Sequence, residues 1–221
     1  MAASRKRTRS VDYSQLNSFS SAVLYDTAPK RRKSKFYAVE RIIERRRRSQ
    51  DYEYLIKWQG WPFHSCSWEP SENLNLTLLR SYDQPSRPDK TRFEQSCRNF
   101  LHAIQSGLKS KSTAIIYVDM DLDVWRYITC NQGRKSNHKG HILFEREDFR
   151  RFEGLPDDWC FILNQHGEGV SIDFPLKAKP LVSWTALSYI VKSGKLVMAP
   201  KMPIKKVVLS FAKRACNMDN I

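Results

Sequence analysis

Acidic residues are scarce in this chain: 23 Asp and Glu stand against 38 Lys and Arg, leaving a net charge of +15. Such an imbalance favours polyanionic partners, nucleic acid or an anionic surface. Cysteine is also sparse, five residues in 221 with no C-x-x-C pair, so neither a zinc module nor a disulfide framework is expected. Free thiols suit a reducing compartment. No apolar run approaches the ~20 residues of a membrane helix. The N-terminal MAASRKRTRS lacks the apolar core of a secretory signal. An intracellular protein without a membrane partner is expected.

Catalytic and metal-binding patterns are missing too. His64, His102, His138, His141 and His166 form neither H-x-x-x-H nor H-E-x-x-H, and His138 and His141 fall in a loop. The acids of VDMDLD, Asp119, Asp121 and Asp123, are not followed by the Gly and bidentate Glu of a calcium loop, so they read as an exposed strand or helix face. HGEG, residues 166–169, reads as a turn. No internal repeat is visible. The expectations are no catalytic residue, no metal and no cofactor.

What is present divides along the chain. Residues 1–35 hold nine Lys and Arg against Asp12 and Asp26 with few apolar residues, a composition that predicts a disordered basic tail. The tail ends in PKRRKSK, where Lys30, Arg31, Arg32, Lys33 and Lys35 suit a nuclear localisation signal. From residue 36 the pattern becomes that of a small sheet. FYAVERIIE suits a strand, RRRRSQD a charged hairpin connection, and YEYLIKW alternates, with Tyr52, Tyr54, Ile56 and Trp58 on one parity and Glu53 and Lys57 on the other. SCSWEP supplies a short third strand and SENLNLTLLRSY a closing helix.

Beyond it, residues 84–133 read as a linker with helices, one of them over 92–105. TAIIYVDMDLDVWRYITC fits either a strand or a helix, because β-branched density and helical spacing point different ways. GRKSNHKG reads as loop, ILFE and WCFILN to VSIDF as strands and a hairpin, and SWTALSYIVKSGK as a helix ending near Gly194. Residues 172–221 carry no assignment beyond a basic tail region. The expected class is α+β.

Trp58, Trp61 and Trp68 crowd into eleven positions. Aromatic residues in small β-domains are commonly core, and Trp68 in an alternating strand reads as filler of the interior. Trp61 differs, because Gly60 and Pro62 place it in a turn. With Tyr37 at a strand start and Trp58 at a strand end, three rings could instead surround a small open volume. Their negative faces would attract a methylated ammonium, each ring contributing ~0.5–2 kcal/mol. Spacing alone leaves core and cage both open.

YAVERIIERR, YEYLIKWQGWP and SWEPSENL, in that order and spacing, make residues 36–83 resemble a chromodomain, the methyl-lysine-reading module of heterochromatin proteins. The resemblance implies three curved antiparallel strands packed by a C-terminal helix. It implies that Tyr37, Trp58 and Trp61 are an exposed-walled cage and that Trp68 and Pro70 are structural. A histone tail would lie as an added strand, contacted by Phe36, Val39, Ser65, Asn73 and Asn75. Phe36, Ser65 and Asn75 stand where that family often has an acid, which lowers complementarity to a basic tail.

A second, shorter resemblance covers residues 134–164, RKSNHKGHILFEREDFRRFEGLPDDWCFILN, which look like the segment preceding the zinc-binding pre-SET region of Su(var)-type histone H3 lysine-9 methyltransferases. Residues 134–171 are taken as that edge. The zinc-binding cysteines and SET motif that would follow are not in this sequence, so this chain is not expected to be an enzyme. Together these features imply a nuclear chromatin protein that binds a histone H3 tail methylated at lysine 9, with DNA or RNA held nonspecifically by the basic flanks and other chromatin proteins as possible partners. Two alternatives stand beside it: the N-terminal portion or a truncated form of a lysine-9 methyltransferase, and a nucleic-acid-binding chromo-like module with an idle cage.

Overall fold

The computed structural model describes residues 37–112, 114–152 and 159–217. The chain divides into two compact units, one ending at Tyr82 and one beginning at Asp83. Lys30 to Lys35 of the basic run, and Phe36, lie outside the described residues.

The first unit contains β1 (Val39–Arg48), β2 (Asp51–Trp58), β3 (Ser67–Pro70) and helix α1 (Leu76–Asp83). The strands form one antiparallel sheet in the order β1-β2-β3. Two register shifts in β1, at Val39/Arg41 and Ile42/Glu44, mark bulges that bend the sheet. They also let the neighbours Ile42 and Ile43 both be buried. One face of β2 packs Tyr54, Ile56 and Trp58 with Ile42, Leu74 and Tyr82, and Val39, Leu78 and Leu79 flank that cluster. RRRR belongs to β1 rather than to the connection, which shrinks to a tight turn with Ser49 at φ +52°. Asn75 starts α1, its Oδ1 accepting from the Leu78 N–H at 2.8 Å. Tyr82 at the other end donates its hydroxyl to Glu44 at 2.8 Å.

Trp68 departs from the core role expected of it. It is half-buried, stands outside that cluster, and the Arg46 guanidinium lies 4.1 Å over its ring. Trp68 therefore covers the second face of the sheet, opposite the fully buried Leu55 in register.

The second unit contains α2 (Lys90–Lys109), β4 (Ile116–Asp119), α3 (Leu122–Thr129), β5 (Arg134–Lys135), β6 (Ile142–Phe144), β7 (Cys160–Ile162), β8 (Glu168–Trp184), β9 (Tyr189–Lys192), β10 (Lys195–Met198) and β11 (Pro203–Asn217). Six strands form a sheet, β4-β11-β8-β6-β5 with β7 also on β8. Its core gathers Phe100, Trp125, Phe144, Phe149, Leu176 and Leu209.

Several expectations are corrected here. Residues 84–133 are no linker: α2 and α3 supply Phe93, Phe100 and Trp125 to the same core as the sheet. TAIIYVDMDLDVWRYITC is both strand and helix, β4 then α3. The expected helix over SWTALSYIVKSGK is a β-hairpin, β9 and β10, turning at Gly194 with φ +73°. Its β-branched residues favour a pleated strand over a helix, and Ser-Gly supplies the turn. Residues 172–217 are no tail, because β8 and β11 are the long central pair of the sheet. Cys160 and Cys216 are joined as a disulfide although only free thiols were expected, since β7 and β11 flank β8 from opposite sides at that level.

Candidate functional site

Backbone pairing brings the three rings of interest together. Val39 faces Trp58 across the β1-β2 ladder, and the Gln59 N–H donates to the Ala38 carbonyl at 2.9 Å, which carries Tyr37 to the end of β2. The chain then reverses at Gly60, φ +74°, and the Trp61 N–H donates to the Trp58 carbonyl at 3.3 Å. The Tyr37 ring lies 5.5 Å from that of Trp61 at 89° and 6.3 Å from that of Trp58 at 67°. Three rings set edge to face at steep angles make walls rather than a stack.

The walls differ in exposure. Tyr37 is 36% exposed and Trp61 47%, whereas Trp58 is only 7% exposed. Trp58 is thus a buried wall, correcting the exposed one expected from the sequence. Its indole N–H donates to Ser67 Oγ at 3.0 Å, Ser67 donates to Glu69 at 2.6 Å, and Asn73 Nδ2 reaches the other Glu69 oxygen at 3.4 Å. This relay fixes the rotation of the Trp58 ring and ties the buried Asn73 to it.

Lys57 is the residue that sequence reasoning missed. Alternation put it on the solvent side, yet it is buried, because β2 is the central strand and both of its faces are covered. Its ammonium donates to the carbonyls of Trp58 at 2.8 Å and Trp61 at 2.5 Å and to Glu40 at 2.7 Å. One buried cation thereby pins both ends of the turn that carries two of the walls. Glu40 also pairs with Arg41, and Phe63 lies beneath both cations, 5.4 Å from Lys57 and 5.5 Å from Arg41. A Lys between Ile56 and Trp58 in a central strand was the available signal.

The other expected contact residues are each engaged within the fold. Val39 is half-buried opposite Trp58 and packs on the core. Ser65 closes a short 3-10 turn, its N–H donating to the Pro62 carbonyl at 3.0 Å. Asn75 caps α1, so its side-chain oxygen is already engaged. On the sheet's far end, Arg48 donating to Glu53 holds that carboxyl below its usual range against the opposing effect of burial, and Arg46 adds to it at 2.8 Å.

Of the acids of VDMDLD in the second unit, Asp119 is exposed on β4 as expected, whereas Asp121 and Asp123 are largely buried in an ion-pair network. Arg92 donates to Asp121 and to both oxygens of Asp123 at 2.7 Å, and Lys205 pairs with Asp121. Burial pushes the Asp121 carboxyl up, but Lys205 and Arg92 outweigh it and hold it below the usual range. A cavity of about 530 Å³ lies between α2 and β4, lined by His102, Gly107, Ile116, Tyr117 and Lys213 among others. Among the described residues, no three His, Cys, Asp or Glu side chains are grouped to hold a metal.

The family model of the Chromo (CHRromatin Organisation MOdifier) domain matches residues 37–84, the stretch that holds all three rings. Residues 37–84 are a chromodomain. Over 54 residues the chain is 44% identical to heterochromatin protein 1 of Drosophila melanogaster, covering 24% of this chain and 26% of that protein. It is likewise 44% identical over 52 residues to chromobox protein homolog 6 of Mus musculus, 23% of this chain and 13% of that one.

A longer similarity, 29% over 133 residues, is to the histone-lysine N-methyltransferase SUV39H2 of Gallus gallus, and covers 58% of this chain and 31% of the enzyme. It is longer than the whole first unit, Met1–Tyr82, and therefore enters the second, in keeping with a partial resemblance to Su(var)-type methyltransferases. In each case the chain spans under a third of its relative's length. No solved structure matches the chain.

Proposed function

We propose that this protein is a chromatin reader whose chromodomain binds a histone H3 tail methylated at lysine 9. The observation that carries this reading is the convergence of Tyr37, Trp58 and Trp61 at one end of the sheet. Ring faces attract a bulky, weakly hydrated methylammonium by their quadrupoles, whereas a bare lysine is held back by its hydration. The tail would add as an extended strand beside the segment before β1, with Val39, Ser65 and Asn73 along its path. The chromobox and heterochromatin relatives support a chromatin role, and gene silencing in the nucleus is the setting it fits. Basic flanks add attraction to DNA or RNA that is independent of sequence, and other chromatin proteins are compatible partners. The chromodomain is a non-catalytic module.

The test is calorimetric titration of the full chain with two trimethylated H3 peptides, one centred on lysine 9 and one on lysine 27. Tighter binding to the lysine-9 peptide supports the assignment; equal or reversed preference removes it.

The length of the similarity to SUV39H2 favours a second reading, in which this sequence is the N-terminal part of a lysine-9 methyltransferase. Transcript sequencing decides it: a reading frame joining the codons of residues 134–171 to a cysteine-rich zinc region and SET motif would establish that reading.

A further inference from the structure

The β9-β10 hairpin stands apart from the rest of the second unit. It is a separate two-stranded sheet, inserted between the ends of β8 and β11 where Trp184 pairs with Pro203. Two-stranded hairpins are at best marginally stable in water unless a hydrophobic face finds something to pack on. The register Met198↔Tyr189 and Leu196↔Val191 puts these four side chains on one face, while Val197↔Ile190 and Lys195↔Lys192 occupy the other. All four residues of the first face are between 61% and 73% exposed, and none belongs to either hydrophobic core.

That pattern separates chemistry by face. The Tyr189, Val191, Leu196 and Met198 face has no charged group, and both lysines of the hairpin point the other way. A partner with an acidic rim would have nothing to grip on the apolar face. A second copy of the same face needs no such grip, because a two-fold axis makes one patch complementary to itself. Packing face to face would also leave all four lysines in water, so the like charges of this basic chain do not meet at the seam. Four side chains at that exposure offer roughly 500 Å² per copy, so a symmetric pair would bury about 1,000 Å² in all, the size at which a biological interface begins. A contiguous exposed apolar patch of that size is as large as the largest on a typical monomer, and such patches are often functional.

We infer that the β9-β10 hairpin is a homodimerisation element, two copies packing their Tyr189, Val191, Leu196 and Met198 faces together about a two-fold axis. The dimer would carry two chromodomains, and so could engage two tails at once with avidity beyond either affinity. The dimer itself does not depend on what the chromodomain binds.

Sedimentation equilibrium of the full chain at ~1–100 μM tests it, with Val191→Lys and Leu196→Lys as apolar-face variants and Lys192→Thr as the opposite-face control. The wild type and Lys192→Thr are expected to shift with concentration from 25.9 kDa to twice that mass. Val191→Lys and Leu196→Lys are expected to hold 25.9 kDa throughout, with circular dichroism unchanged because both residues are exposed. A wild type that stays at 25.9 kDa at every concentration, or a dimer that the apolar-face variants leave intact, overturns the inference.

Discussion

The ammonium of Lys57 donates to the main-chain carbonyl of Trp61 at 2.5 Å, from a buried position on the central strand. It holds the turn after β2 at both ends, since the Trp58 carbonyl accepts from the same nitrogen. Lys57→Met keeps the aliphatic stem but leaves two carbonyls and Glu40 without their donor. The expected loss is about 1–3 kcal/mol of stability, read from urea unfolding. Methyl-peptide affinity should fall by more than in a core variant of equal measured stability loss, because the turn that carries Trp61 is released.

Trp58 and Trp61 should separate stability from binding. Trp61 is half exposed and Trp58 nearly buried, so Trp61→Ala should change stability by no more than about 0.5 kcal/mol while weakening methyl-peptide binding by the ~0.5–2 kcal/mol of one ring. Trp58→Ala should cost about 3–5 kcal/mol of stability and abolish binding. Thermal melts beside calorimetric titrations check both, and equal stability losses would contradict the burial difference.

The Asp121 network sets a pH dependence for the second unit. Its carboxyl lies below the usual range because Lys205 and Arg92 outweigh burial. A carboxyl depressed in the folded state contributes stability above its unfolded value near ~3.9, and that contribution is lost as pH falls through the lower folded value. Asp121→Asn should therefore lower stability by about 3 kcal/mol at pH 7. The difference in melting temperature from wild type should hold down to about pH 5 and shrink below about pH 4.

Much of the chromodomain was legible in the sequence, and the reason is local. Alternation in YEYLIKW puts Tyr54, Ile56 and Trp58 on one parity, and these three do pack together, Trp58 more deeply than the exposed wall expected of it; Gly60 marks the turn that carries Trp61 towards Tyr37. Lys57 and Glu53 were misplaced because period-two patterning assumes one wet face, and a central strand of a small curved sheet has none. Trp68 reads as interior filler from its place in an alternating strand, although the Arg46 guanidinium lies over its ring. In the second unit the contacts that matter are distant in sequence: β8 finds β11, and Cys160 finds Cys216 across 56 residues. SWTALSYIVKSGK reads as a helix because Gly194 suits a helix end, whereas Gly194 is the turn of a hairpin.

Ionic strength should separate the basic flanks from the ring site. Residues 1–35 carry nine Lys and Arg against two acids, so binding of duplex DNA should weaken steeply between 50 and 200 mM salt as counterion release is lost, by roughly tenfold or more. Binding of a short methylated peptide, which relies on ring faces and backbone pairing, should change by about threefold or less over the same range. Fluorescence anisotropy with each labelled ligand measures both slopes; parallel slopes would contradict separate binding modes.

The central claim is that Tyr37, Trp58 and Trp61 recognise the methylammonium itself. Titration of the full chain with one H3 peptide carrying zero, one, two or three methyl groups on lysine 9 tests it most directly. Affinity should rise with methyl number, by tenfold or more from none to three, and the rise should shrink in Trp61→Ala. Equal affinity for all four peptides would contradict it.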